Sequence, residues 1–250
     1  MKKLIPAVIG LALVAIAYPV WAQSVPLPRV ELDFSQAASE PRQVATALKL
    51  IALMTVLSLA PAILVCMTSF TRIVIVLSFV RQAIGSHAAP PNQVIVSLAL
   101  LLTFFVMAPV ARQIDEEALR PYLAEEIGED VAYERAAAPL RRFMLAQTRD
   151  DDLRLFYEIA EASRPETRDE VPFYILVPAF MISEIRTAFT MGFMLFLPFL
   201  VVDMAIASIL MSMGMVMLPP AMISLPLKIM LFVLVDGWAL VIGSLVRSFV

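Results

Sequence analysis

The feature that most constrains this chain is a pair of apolar runs, each too long to cross a membrane as one straight helix. The first covers residues 48–84 and the second covers residues 171–218. As a single α-helix the first run alone would be about 55 Å long, whereas a bilayer has a hydrocarbon core of about 30 Å. Each run therefore predicts a span with a helical extension, or a long helix inside a protein assembly.

Composition agrees with a membrane-associated protein, because 60% of the 250 residues are hydrophobic. A turn rich in small residues and proline, residues 85–93, separates the first run from a further apolar segment at 94–110. We predict an all-α fold with a first helical hairpin over residues 47–111 and a second over residues 171–250. Prolines inside the long runs indicate kinks, and they are Pro61, Pro178 and Pro198.

The segment 112–170 differs in kind from the rest of the chain. It holds sixteen of the 22 acidic residues and nine of the 19 basic ones, which leaves a net charge of −7. Apolar residues at helical spacing predict two short amphipathic helices in it. The run of acids at Asp150–Asp152 suggests a helix N-terminus that faces water. We predict a water-exposed helical insert on the extracytoplasmic side of the membrane.

The N-terminus has the layout of a secretory signal peptide. Lys2 and Lys3 precede a short apolar core, and a small-x-small pattern ends at Ala22. We predict a signal peptide over residues 1–22, with cleavage before Gln23. An uncleaved first transmembrane helix is the alternative. Cleavage would put an extracytoplasmic segment at 23–46, and two crossings would return the insert to that side.

Residues 209–220 read ILMSMGMVMLPP, with methionine at every second position. Such alternation suits neither a helix face nor a strand broken by glycine and proline, so it predicts an irregular loop. Methionine is flexible and adapts to irregular partners, but it also fills ordinary cores. The residues in question are Met211, Met213, Met215 and Met217.

Charged residues occur inside the apolar segments, where an ionisable group is costly unless it has a partner. Buried ion pairs, within the chain or between subunits, are one interpretation. A proton or solute relay through Glu184, Asp203 and Asp236 is the other, and it would make the chain a transporter. The full set of candidates is Arg72, Glu184, Arg186, Asp203, Lys228 and Asp236.

An enzyme is the least favoured class. The single histidine, His87, lies in a proline-rich turn, and the single cysteine, Cys66, lies in an apolar run. No nucleophile triad, metal-ligand spacing or phosphate-binding glycine loop occurs, and the chain has seven glycines in all. We therefore expect no catalytic residue, cofactor or metal.

Three stretches of the sequence resemble the FliP family of flagellar type III secretion export-gate proteins, relatives of the virulence-system SctR proteins. They are LSLAPAILVCMTSFTRIVIVLSFVRQAIG at 57–85, the block at 178–220 that contains the methionines, and PLKIMLFVLVDGW at 226–238. The resemblance covers nearly everything after the predicted signal peptide except the acidic insert. A virulence-system gate subunit is the alternative within the same resemblance.

The resemblance implies a helical assembly of several copies with the subunits FliQ and FliR around an export path, next to FlhB and FlhA. It implies a place in the bacterial inner membrane at the flagellar basal body, partly raised out of the membrane plane. It also implies unfolded flagellar proteins as cargo. In that setting the methionines at 211–217 would line the path as a deformable gasket.

The first prediction concerns processing. If the apolar core of residues 1–22 is a signal peptide, the mature chain begins at Gln23. N-terminal sequencing of protein extracted from membranes measures this directly. An Ala22→Leu variant should accumulate unprocessed, because signal peptidase requires a small residue there. An intact Met1 on the native protein would remove the basis for the assigned orientation.

Overall fold

The computed structural model describes residues 41–86, 89–165, 167–215 and 217–249. The predicted signal peptide and its Ala22–Gln23 cleavage point lie outside the described residues. The described part consists of helices and turns without strands, which confirms the all-α prediction. The helices are α1 Pro41–Met67, α2 Phe70–Ile84, α3 Asn92–Ile114, α4 Arg120–Leu123, α5 Glu129–Gln147, α6 Asp150–Ile159, α7 Phe173–Ser212, α8 Pro220–Leu234 and α9 Gly237–Arg247.

The chain divides into two units, residues 1–55 and 56–250. In the first unit, the start of α1 exposes large apolar side chains such as Ile51 and Met54. All contacts described below lie within the second unit.

The first apolar run is broken by a sharp bend. The end of α1, Pro61–Met67, meets α2 at 76°. The break falls at Thr68 and Ser69 rather than at Pro61, which lies within α1. Near this corner the Thr71 hydroxyl donates a hydrogen bond to the Val65 carbonyl at 2.7 Å. The run therefore forms two helices that meet at an angle, and not one straight helix longer than the hydrocarbon core of a bilayer.

The second apolar run keeps its length. Helix α7 has 40 residues and is about 60 Å long, and it continues through Pro178 and Pro198. Helices α8 and α9 bend by 65° at Asp236, which has a φ of 51°. By length and composition, two described helical segments could cross a membrane, Asn92–Leu123 and Phe173–Ser212, or up to four if each bent pair counts as one span.

Helix α2 is the centre of the apolar core. It packs against α3 on one side and α7 on another, and it also contacts α8. Its residues Ile73, Val76 and Ala83 are fully buried. The central part of α7 completes this core with Ala188 and Phe199.

The acidic insert is built onto the membrane helices. A π-helical turn, Asp115–Leu119, connects α3 to α4 without a break, so the predicted boundary at residue 112 falls inside a continuous helix. Helices α5 and α6 are the two predicted amphipathic helices, and both pack against α7. Their buried residues Met144, Leu153 and Tyr157 form a second core with the start of α7, including Phe180.

A glycine sets the approach of α7 to α2. A Cβ added to Gly192 would lie 2.5 Å from Cδ2 of Phe79, whereas a Cβ added to Gly243 in α9 would meet no atom within 4 Å. A side chain at position 192 would therefore force the core to shift, whereas one at position 243 would not.

We expect Gly192→Ala to lower the free energy of unfolding relative to Gly243→Ala by about 1–3 kcal/mol, the usual cost of overpacking. Both variants gain the helix propensity of alanine, so their difference isolates the packing cost. Thermal unfolding of the detergent-purified protein measures it. Equal shifts in the two variants would show that α7 and α2 can separate without cost.

Candidate functional site

The most buried charge in the described part of the chain belongs to an ion pair between α2 and α7. Arg72 is 2% exposed and Glu184 is fully buried. Nε of Arg72 donates to Oε2 of Glu184 at 3.0 Å, and Nη2 of Arg72 contacts Oε1. The planar guanidinium can satisfy a carboxylate with two parallel hydrogen bonds, which a lysine cannot do.

The remaining donors of Arg72 reach two further parts of the chain. Nη2 donates to Oε1 of Gln147 at the end of α5, at 2.9 Å. Nη1 donates to the carbonyl and to the hydroxyl of Ser248, both at 3.1 Å. The Phe249 ring lies 4.0 Å from the guanidinium carbon. One arginine therefore joins α2, α7, the insert and the segment after α9.

A second ion pair joins α7 to α8. Nζ of Lys228 lies 2.5 Å from Oδ2 of Asp203. Lys228 is buried, whereas the Asp203 side chain is about one-third exposed. The methionine stretch joins α7 to α8. The ion pair therefore links the two helices on either side of that stretch.

A third network joins the insert to α7, and it corrects one prediction. Asp152, the last acid of the Asp150–Asp152 run, is buried rather than water-facing. Its Oδ2 accepts a hydrogen bond from the Ser183 hydroxyl at 2.6 Å, and its Oδ1 lies 2.9 Å from Nη2 of Arg186. The helical spacing could have predicted this burial, because it places Asp152 on the same face of α6 as Leu153, Phe156 and Tyr157.

The other candidate charges are more accessible. The side chain of Arg186 is about half exposed beside Asp152. Asp236 is exposed in the single chain, so it is not a buried charge there, and among the described residues its carboxylate makes no ion pair. Its backbone adopts the left-handed conformation at the start of α9. A contact between Asp236 and another subunit stays a prediction.

The methionine stretch is half helix and half turn. Helix α7 continues to Ser212, so Met211 is helical and the predicted irregular loop begins later than residue 209. Gly214 then ends the helix with a φ of 74°. Its N–H bonds to the Met211 carbonyl at 3.0 Å, and the Met215 N–H bonds to the Leu210 carbonyl at 3.0 Å. This is the Schellman ending, which requires a left-handed residue and favours glycine there.

All four predicted methionines are accessible in the single chain. Met211 is 69% exposed and Met213 is 66% exposed, while Met215 is 38% exposed and Met217 is 96% exposed. None of them fills the core of its own subunit. The four therefore present flexible apolar side chains at the end of the α7–α8 hairpin.

No cluster suited to a metal was found in the described part of the chain, where no three side chains of His, Cys, Asp or Glu come together. The buried ion pairs and the exposed methionine turn form the candidate site.

Removing one partner of the buried pair should be costly. We expect Glu184→Ala to lower the free energy of unfolding by about 3–5 kcal/mol, because the Arg72 charge stays buried without its partner. Asp115→Ala breaks an exposed pair with Arg120, and should cost no more than about 1 kcal/mol. Thermal unfolding and the yield of purified protein measure both variants.

A double variant separates structure from proton transfer. Arg72→Gln with Glu184→Gln removes both charges of this pair and should recover much of the loss of Glu184→Ala. Wild-type stability in Glu184→Ala together with lost protein export would contradict the structural role and support a relay.

Comparison with known proteins places the chain in one family. The model of the FliP family matches residues 53–245. The flagellar biosynthetic protein FliP of Bacillus subtilis (strain 168) is 54% identical over 213 residues, which are 85% of this chain and 96% of that protein. The FliP of Pectobacterium carotovorum is 54% identical over 79% of this chain and 76% of its own length. The FliP of Aquifex aeolicus is 48% identical over 89% and 92%. The chain belongs to the FliP family.

Proposed function

We propose that the methionine turn of this flagellar export-gate subunit seals the path through which unfolded protein leaves the cell. The exposure of Met211, Met213, Met215 and Met217 supports the proposal. Four large apolar side chains left uncovered at one end of a hairpin need either a partner or a function. In a ring of several copies, the same turn from each subunit would supply a collar of thioether side chains.

The physical demands of such a seal match methionine. A closed gate has to exclude ions, and an apolar constriction does this by excluding water. An open gate has to admit side chains of many sizes, and the three rotatable bonds of methionine let it adapt to them. Branched residues would exclude water as well but would adapt less.

The hairpin that carries the turn is held at its base. The pair Lys228–Asp203 joins α8 to α7 behind the turn. The Schellman ending at Gly214 fixes where the chain leaves α7. Rigid arms with flexible side chains at their end suit a gate that closes repeatedly at one position.

We further propose the assembly that the family resemblance implies. Several copies would pair with FliQ and FliR, next to FlhB and FlhA, in the inner membrane at the flagellar basal body. The mature chain would begin at Gln23 and carry the insert at 112–170 on the extracytoplasmic side. Exposed apolar side chains along α7 and α8, such as Phe193 and Val233, offer surface for such neighbours.

The relatives named above favour this function over its alternatives. Each is named a flagellar biosynthetic protein, which favours a flagellar gate over a virulence-system gate. A small-solute transporter would use Glu184, Asp203 and Asp236 as a relay. Glu184 and Asp203 are instead held by cations of the same chain, Arg72 and Lys228, which leaves Asp236 as the member of that relay without an ion pair among the described residues.

The test is to shorten the methionine side chains that would form the seal. Replacing Met211, Met213 and Met217 with alanine should widen the constriction in every copy. We expect raised membrane conductance and growth sensitive to salt, with normal amounts of assembled complex. Leucine at the same positions should leak less, because it keeps most of the volume. Conductance and a blue-native gel are measured together.

Met194→Ala is the matched control, because Met194 is as exposed as Met213 but lies along α7, away from the turn. It should not raise conductance. Loss of assembled complex without a leak in the triple variant would mean that the methionines pack a subunit interface, and the proposal would fail.

A further inference from the structure

The methionine turn carries a chemistry besides its flexibility, because a thioether sulfur is readily oxidised to a sulfoxide. A water-borne oxidant reaches an exposed sulfur more easily than a buried one. Met217 is 96% exposed and Met211 and Met213 are each about two-thirds exposed, whereas Met144 in the core of the insert is fully buried. Within one chain, the turn and the insert therefore offer oxidisable sulfurs at the two extremes of access.

The position of these sulfurs also separates them from other exposed methionines. Met194 and Met204 lie along α7 among apolar side chains that face lipid or a neighbouring subunit in a membrane. The turn lies at the end of the α7–α8 hairpin, where the chain leaves α7 at Gly214. A turn that lines an export path meets the water of that path, and with it any small oxidant dissolved there.

A sulfoxide in this turn would draw water to itself. A thioether is a weak hydrogen-bond acceptor, whereas the sulfoxide makes the side chain polar. The donors described at the turn are already used. The N–H groups of Met213, Gly214 and Met215 bond to carbonyls of α7, and the Ser212 hydroxyl donates to the Ile209 carbonyl at 2.7 Å. The segment 209–220 also contains no charged or amide side chain that could act as a donor.

We propose that Met211, Met213 and Met217 are oxidation sites at which peroxides reversibly open a leak in the gate. The proposal rests on the sealing function proposed above. An apolar constriction stops ions only while it excludes water, and hydrated sulfoxides end that condition. Every copy in a ring contributes the same sulfurs, so the effect accumulates around the path.

The reaction needs only a peroxide as its second reactant. The sulfur lone pair attacks one peroxide oxygen, an S–O bond forms and the O–O bond breaks. The other oxygen leaves as water, so the sulfur loses the two electrons that the peroxide gains. Methionine sulfoxide reductases reverse the change, with two thiols becoming a disulfide and the oxygen leaving as water.

The first measurement maps the sulfoxides. Membranes that contain the assembled gate are treated with hydrogen peroxide for increasing times, and peptides of the full chain are analysed by mass spectrometry. We expect Met213 and Met217 to gain oxygen at least about fivefold faster than Met144, because of their access to water. This measurement does not depend on whether the turn forms a seal.

The second measurement follows membrane conductance before and after peroxide. We expect conductance to rise at least about twofold and to return after treatment with both methionine sulfoxide reductases and a thiol reductant. Leucine at Met211, Met213, Met215 and Met217 removes the oxidisable sulfurs of the turn, so the conductance of that variant should not change with peroxide. Met194→Leu is the matched control and should keep the full response.

Two results would overturn the proposal by themselves. One is oxidation of Met213 and Met217 no faster than that of Met144. The other is a peroxide response of equal size in the native gate and in the variant with four leucines. Sulfoxides in the turn without a change in conductance, in a gate that leaks when the methionines are replaced with alanine, would also overturn it and leave the sealing function intact. A gate that does not leak with alanine would refute the sealing function itself.

Discussion

The buried pair between Arg72 and Glu184 is the interaction on which the rest of this structure depends. Removing two charges from water is expensive, and their attraction offsets the cost only when every donor has an acceptor. Arg72 meets this condition by drawing α2, α7, the end of α5 and Ser248 to one point. The ion pair and the close approach of Gly192 to Phe79 both specify one register of α7 on α2.

Much of this architecture follows from the sequence, because apolar length, proline and charge are local properties. The helical character of the runs at 48–84 and 171–218 and the two amphipathic helices of the insert could be anticipated, whereas the loop predicted from residue 209 begins only after Ser212. Charges at Arg72 and Glu184 could be recognised as needing partners, but pairing over 112 positions depends on packing that no local pattern encodes. The bend at Ser69 was missed for a related reason, since Pro61 is the stronger local signal and the tertiary contacts outweigh it.

The burial of Asp152 is a second tertiary contact that the local sequence pattern did not reveal. Three consecutive acids at a helix start normally interact with the exposed N–H groups and with water. Here one of the three faces Ser183 and Arg186 on α7. The amphipathic period of α6 contains this information, but the acidic run conceals it. The insert is consequently fastened to α7 by polar contacts as well as by the core around Phe180.

The position of Arg72's partners along the chain has a consequence for biosynthesis. Arg72 leaves the ribosome early, whereas Glu184 follows 112 residues later and Ser248 follows 176 residues later. During translation and membrane insertion the guanidinium must therefore remain hydrated or be held by other molecules. Its coordination is completed only when the segment after α9 folds back against it. A chain that stops before Ser248 leaves Nη1 of Arg72 without these two acceptors, so we expect it to be less stable than the full-length chain.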